Sequence, residues 1–181
     1  MHQMNYEILN PNSASEVQKL FINVFTNSEG KAEGELIGNL VFELQNTTKP
    51  EDIFCFVAKD DKNIIGCIFF SRLKFDTQIN AFILSPVAVA THYQNQGIGQ
   101  KLIKFGINHL KKNHVELLFT YGDPKFYAKV GFKNISEDIV KAPLKLTYPE
   151  GWLAQSLVGQ HIEPIRGNST CVKALNNQQY W

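Results

Sequence analysis

The sequence predicts an α/β fold on a mixed sheet, in one domain spanning 1–181. Three observations predict it: two amphipathic helical stripes within residues 13–45, two β-rich runs joined by a polar turn over 53–75, and a strand–helix–strand unit over 80–121. The turn makes its strands antiparallel neighbours, whereas the strand–helix–strand unit makes its strands parallel with a right-handed crossover. With 181 residues, 44% of them hydrophobic and 19% charged, the chain has the profile of an ordinary globular domain. It needs no disulfide or metal staple.

Tyr6–Leu9 alternates as a first strand, and Asn10-Pro11-Asn12 ends it. Ser13-Ala14-Ser15-Glu16 has capping-box spacing, in which the Ser13 hydroxyl and Glu16 carboxylate would each satisfy an orphan N–H. Val17, Leu20, Phe21, Val24 and Phe25 form the apolar stripe of a helix that Thr26–Gly30 breaks. A second helix follows from about Ala32 to Gln45, apolar along Leu36, Ile37, Leu40, Val41 and Leu44, with Glu33, Glu35 and Glu43 on its other sides. Ile53–Lys59 and Asn63–Phe75 flank the Asp60-Asp61-Lys62-Asn63 turn. Asn80–Ala90 is the next strand, and since Pro86 has no N–H for a ladder, a bulge or gap in pairing is expected there. Gly97 to about Asn113 is the crossover helix and Val115–Tyr121 the second strand of that unit. Pro124 opens a short helix capped by Gly131. Phe132–Ile135 and Leu144–Tyr148 read as strands. The core is expected over about 6–148; residues 149–181 have no assignable pattern, and Asn176–Trp181 resembles a tail.

Charge is uneven: 7 basic against 11 acidic residues in 1–100, 9 against 4 in 101–145, and 2 against 2 in 146–181. The basic middle segment suits either a polyanionic ligand or a solvated surface. Arg72 and Arg166 are the only arginines, so guanidinium readout of nucleic acid is not expected. Apolar runs such as Ile68–Phe70 and Val87–Ala90 fall far short of the roughly 20 residues that cross a bilayer. Met1-His2-Gln3-Met4-Asn5 lacks the regions of a secretory signal. The expectation is a cytoplasmic protein with no membrane partner. Cys55, Cys67 and Cys171, without a C-x-x-C, read as core thiols rather than nucleophiles. His2, His92, His109, His114 and His161 lack metal-site spacing, and no metal is expected.

The stretch Ser85–Gly99 carries the chemistry. A strand ends, Gly97 and Gly99 permit close backbone approach, and a helix starts, so several N–H groups and a positive helix end converge on an anion site. The third glycine of the dinucleotide fingerprint is missing, and no P-loop is present. Gln94-x-x-Gly97-x-Gly99, directly after a strand, resembles the acetyl-CoA signature of the GCN5-related N-acetyltransferase (GNAT) superfamily. Gly122-Asp123-Pro124-Lys125-Phe126-Tyr127-Ala128-Lys129-Val130-Gly131-Phe132 resembles that superfamily's second motif, a short helix ending in Tyr-x-x-x-Gly-Phe. The chain is most similar to the branch of uncharacterised bacterial-type acetyltransferases in which Gly-Asp-Pro precedes the tyrosine. The resemblance covers residues 6–135 in element order, with strong motifs from 84 to 132.

The implied fold is GNAT-like: a mixed, mostly antiparallel central sheet with a splayed parallel strand pair and helices on both faces. The implied activity is transfer of acetyl from acetyl-CoA to a primary amine by direct attack, the acceptor being a small molecule or a protein. In this reading Val87, Ala88 and Val89 hold the pantetheine arm, with the Val89 amide stabilising the oxyanion. Gln94, Asn95, Gln96, Gly97, Ile98, Gly99, Gln100 and Lys101 bind the cofactor, the N–H groups of 96–101 cradling its pyrophosphate while the Lys101 and Lys104 ammonium groups add charge. Tyr127 is the general acid for the departing thiolate, or a packing residue. The base is left among Glu33, Glu35 and Asp123, the last alternatively an N-cap. His92 reads as a turn residue. The segment Pro149–Trp181 either closes the acceptor pocket, makes a homodimer contact, or packs. The competing readings are a non-catalytic acyl-CoA-binding or regulatory module and, less well matched, a nucleotide enzyme.

Overall fold

A computed structural model of the chain describes residues 3–181; Met1 and His2, counted above among the signal-free start and the histidines, lie outside the described residues. Among those described, β1 (Met4–Ile8), β2 (Ile53–Asp60), β3 (Asn63–Leu73), β4 (Ala81–Val89), β5 (Leu117–Tyr121), β6 (Lys133–Asn134) and β7 (Trp152–Ser156) form one sheet. Its order is β1-β2-β3-β4-β5-β7-β6. The β4–β5 pair is parallel, while β1–β2, β5–β7 and β6–β7 are antiparallel. The predicted mixed, mostly antiparallel sheet is therefore present, flanked by helices α1 (Ala14–Glu29), α2 (Lys31–Thr47), α3 (Ile98–Lys112) and α4 (Pro124–Ala128). The chain divides into two compact units: one runs up to Phe69 and resumes over Pro86–Gly106, the other takes Phe70–Ser85 and Ile107–Trp181. Strands β3 and β4 and helix α3 run from one into the other.

In the first unit α1 and α2 make an antiparallel helical hairpin. Thr26–Glu29, predicted as a break, is helical; the helix ends only at Gly30, whose φ of 98° few other residues adopt. The capping box does not form. A 3-10 turn over Pro11–Ser13 takes over the helix start, Ser13 makes no side-chain cap, and Glu16 instead accepts from the Ile64 N–H at 3.2 Å. Val17, Phe21 and Val24 of α1 and Ile37, Leu40 and Leu44 of α2 are buried. The helices approach closely at Gly34 and Gly38: a Cβ at Gly34 would meet Thr26 Oγ1 and the Ile22 carbonyl oxygen at 2.9 Å, and one at Gly38 would lie 2.5 Å from Ile22 Cγ1. Gly34→Ala is therefore expected to destabilise by about 1–3 kcal/mol through overpacking, despite the better helix propensity of alanine. A denaturation midpoint at or above that of the parent would refute the close approach. The β2–β3 hairpin turns through Asp61 at φ 53°, and the Phe105 ring packs against Tyr6 and Phe56 at 6.3 and 5.7 Å.

In the second unit β4 pairs with β5 from Ala81↔Leu117 to Leu84↔Thr120. The other edge of β5 is taken by β7, and β6 adds outside it. Two expectations fail here. Leu144–Tyr148 makes no strand: its alternation serves an irregular, bent segment that buries Leu146 and ties Thr147 N and Oγ1 to the Trp181 carbonyl oxygen at 3.2 and 2.6 Å. The C-terminus is not a tail, because Trp181 is 4% exposed and donates its indole N–H to the Leu175 carbonyl at 2.9 Å. Residues 149–181 thus contribute core. Trp152, fully buried, donates to the Val140 carbonyl at 2.9 Å and stacks on Phe119 at 5.2 Å.

Candidate active site

The β4–β5 ladder stops at Leu84 and Thr120, two residues before Pro86, although β4 runs on to Val89. Over that continuation, in the first unit, Val87 and Val89 are half-buried and Ala88 is buried, the period-two pattern of a strand with one accessible face. A 3-10 turn over Thr91–Tyr93 follows, then Asn95 at φ 61° and Gly97 at φ 77°, and α3 begins at Ile98.

Side chains stitch this loop to its surroundings. Gln94 Nε2 donates to the Val89 carbonyl at 2.9 Å and Gln96 Nε2 to the His92 carbonyl at 3.2 Å. Tyr93 donates its phenol to Asp60 Oδ2 at 2.7 Å, and Asn27 Nδ2 donates to Thr91 Oγ1 at 3.2 Å. Sequence reasoning named Gln94 and Gln96 as cofactor contacts but missed Tyr93 and Asn27; the available signal was a polar-tipped aromatic at 93 in an otherwise polar turn. His92 is exposed in the turn.

Gln94, Asn95 and Gln96 are exposed, Gly97 and Gln100 half-buried, Ile98 and Gly99 buried. No atom lies within 4 Å of where a Gly97 Cβ would stand, so the loop's backbone is open there. The Lys101 amide, grouped above with the anion-binding N–H set, makes a bond of α3 to the Gly97 carbonyl at 3.1 Å. What Lys101 can offer an anion is its exposed ammonium group. Open N–H groups at a helix start, with no acidic residue in the first turn of α3, fit a pyrophosphate.

Tyr127 sits in the second unit on α4. Asp123 caps that helix, its Oδ1 accepting from the Lys125 N–H at 2.9 Å, so one oxygen of this candidate base is committed to structure. The Tyr127 ring lies over Gly122, where a Cβ would come within 2.8 Å of Cε2, and is flanked edge-on by Phe126 at 5.0 Å and Phe132 at 5.8 Å. The fully buried Thr120 neighbours the phenol. Burial pushes the phenol up to about 12; the Thr120 contact pulls it down and the Asp123 charge pushes it up.

Glu33 stands in the first turn of α2, half-buried, and burial followed by the neighbouring Glu29 charge raises its carboxyl above the ordinary value. Glu35 is exposed and paired with Lys31 at 3.7 Å. The cysteines are unlinked: Cys67 is buried, Cys55 and Cys171 half-buried, and burial pushes Cys67 well up and Cys171 up to about 11, against thiolate formation. Among the described residues no helix is long and apolar enough to cross a membrane.

Residues 51–134 match the model of the acetyltransferase (GNAT) domain family. Over 177 residues the chain is 26% identical to the uncharacterized N-acetyltransferase YjhQ of Escherichia coli, covering 94% of this chain and 93% of that one. It is similar in structure to the GNAT family N-acetyltransferase YhbS of Escherichia coli, solved in complex with CoA, with a TM-score of 0.81, 20% identity and coverage of 98% and 94%. A GNAT family acetyltransferase from Brucella melitensis, solved with acetyl-CoA, gives a TM-score of 0.73 at 21% identity, covering 97% of this chain and all of that one (100%). The matched segment carries both the glycine loop and the tyrosine helix, and over residues 51–134 the chain is similar to the acetyltransferase (GNAT) domain family.

Proposed function

We propose that this protein transfers an acetyl group from acetyl-CoA to a primary amine by direct attack. The observation that carries the reading is the loop of residues 94–100 at the junction of β4 and α3, open at Gly97. In this reading the N–H groups from Gln96 to Gln100 hold the pyrophosphate, and Lys101 and Lys104 add charge. The Val87–Val89 stretch, beyond the end of the β4–β5 ladder, holds the pantetheine arm as a further strand would, and the Val89 amide faces the developing oxyanion. Tyr127 gives its proton to the leaving thiolate. Glu33, whose raised carboxyl is a better base than an ordinary glutamate, takes the amine proton directly or through water. Glu29 beside it favours a cationic acceptor. Spermidine and aniline, assayed in parallel, test that preference, and faster acetylation of aniline would remove it.

The binding step is tested by calorimetry with acetyl-CoA against ATP and NAD, in the parent chain and in Gly97→Val/Gly99→Val. Binding of acetyl-CoA alone, lost in a variant that stays folded, is the expected result. Binding indifferent to the two valines would remove the loop, and binding without turnover on either amine would leave the acyl-CoA-binding module.

The pH profile carries a sign. An amine of pKa about 10 is a nucleophile only when neutral, so kcat/KM is expected to rise about tenfold per pH unit between 7 and 9. With the Tyr127 phenol at about 12 the acid stays loaded over that range, and no alkaline fall belongs to it there. A decline beginning near pH 8 would contradict this assignment.

A further inference from the structure

The loop before β4 and the segment after β7 line a cavity of about 540 Å³ that belongs wholly to the second unit. Small-molecule sites run from roughly 300 to 1,000 Å³. Both walls are tied down. Lys74 and Thr170 exchange backbone hydrogen bonds at 2.8 and 2.9 Å, the Ile165 N–H donates to the Ile139 carbonyl at 2.9 Å, and the Leu157 N–H donates to the Glu116 carbonyl at 2.8 Å. The apolar lining is aliphatic: Leu117 is buried, and Ile79, Ile162 and Ile165 are half-buried. Leu117 pairs with Ala81 and Ser156 at the start of β5, whereas the β4–β5 ladder ends at Leu84 and Thr120, about 10 Å further along the strand. The cavity therefore lies at the other end of β5 from Gly122–Tyr127 and includes none of the residues assigned to acetyl transfer.

Charges of both signs stand on the rim. Arg166, Glu163 and His161 are exposed, and among the described residues neither the Arg166 guanidinium nor the Glu163 carboxylate has an ion-pair or hydrogen-bond partner. Glu116 Oε2 accepts from the Asn80 N–H at 2.8 Å, which leaves Glu163 as the carboxylate open to a ligand. An aliphatic acid would bring its carboxylate to Arg166 but also to two like charges, and an aliphatic amine would meet Arg166; a molecule carrying both signs answers each. We propose that this cavity binds a small zwitterion with aliphatic side chains, of the class of a short apolar peptide. Its carboxylate meets the planar fork of Arg166, its ammonium meets Glu163, and its side chains lie on Ile79, Leu117, Ile162 and Ile165. Aliphatic burial supplies the affinity, and the two charges fix the orientation.

The probe is L-leucyl-L-leucine, titrated without acetyl-CoA into isotope-labelled protein while backbone amide shifts are followed by NMR. Three analogues remove one feature each: N-acetyl-leucyl-leucine the ammonium, leucyl-leucinamide the carboxylate, and glycylglycine the side chains. In the parent chain the dipeptide is expected to bind with a Kd below about 1 mM, shifting amides around 116–117 and 156–166, and each analogue to bind at least about tenfold more weakly. Arg166→Gln is expected to weaken the dipeptide about tenfold but leucyl-leucinamide less than about twofold; Glu163→Gln does the same to the dipeptide and the acetylated peptide. Both substitutions fall on exposed side chains, and the analogue series tests the same contacts in the unaltered chain. No saturable shift below about 10 mM, an analogue bound as tightly as the dipeptide, or affinity that both variants leave unchanged overturns the proposal. Shifts centred on Gly122–Tyr127 would place the dipeptide at the acetyl-transfer residues and overturn it equally. With acetyl-CoA absent, none of these outcomes depends on the reading of Tyr127.

Discussion

Replacing Tyr127 by phenylalanine is expected to lower kcat about 100-fold or more while leaving acetyl-CoA affinity within about twofold, the signature of an interaction made only in the transition state. The substitution is gentle. The ring keeps its seat over Gly122 and its edge-on contacts with Phe126 and Phe132, so what is lost is one hydroxyl. Steady-state kinetics paired with calorimetry checks the result. A variant at full speed would return Tyr127 to a packing role, and one that binds acetyl-CoA poorly would make it a cofactor contact.

Trp152→Ala is expected to cost about 3–5 kcal/mol, because a fully buried indole is removed from beside Phe119 and Trp181. The Val140 carbonyl would also lose its donor. In a chain of this size that corresponds to a fall in Tm of roughly 10 °C. Thermal unfolding monitored by circular dichroism measures it. A loss below about 1 kcal/mol would mean that the C-terminal segment contributes little to the core.

What was legible in the sequence had a local physical cause. The α1 and α2 stripes, the Asp61 turn and the glycines around α3 each follow from one residue's conformational range or from periodicity, and the structure places them within a few residues. The boundary of α1 was missed because Asn27 and Ser28 look like a break, whereas the helix ends where Gly30 supplies the left-handed turn. Strand β7 was missed because Trp152, Leu153 and Ala154 are all buried, so the strand shows no alternation. Conversely, Leu144–Tyr148 alternates without a partner strand, since the Thr147 N–H donates to the Trp181 carbonyl and the Tyr148 N–H to the Tyr121 hydroxyl. In the site, the motif positions 94–101, Asp123 and Tyr127 were visible as patterns. Tyr93 was not, because it is tied to a partner far along the chain, Asp60.

The place of β7 in the sheet bears on how the protein is made. β7 lies between β5 and β6, both synthesised before it. Until Trp152–Ser156 has left the ribosome and docked, the buried apolar run Leu117–Phe119 has one strand edge without its native partner. Such an edge is a template for pairing with another nascent copy. The order of emergence therefore makes the docking of β7 the step that protects β5. A message truncated after Tyr148 would yield an aggregating fragment rather than a weakened enzyme.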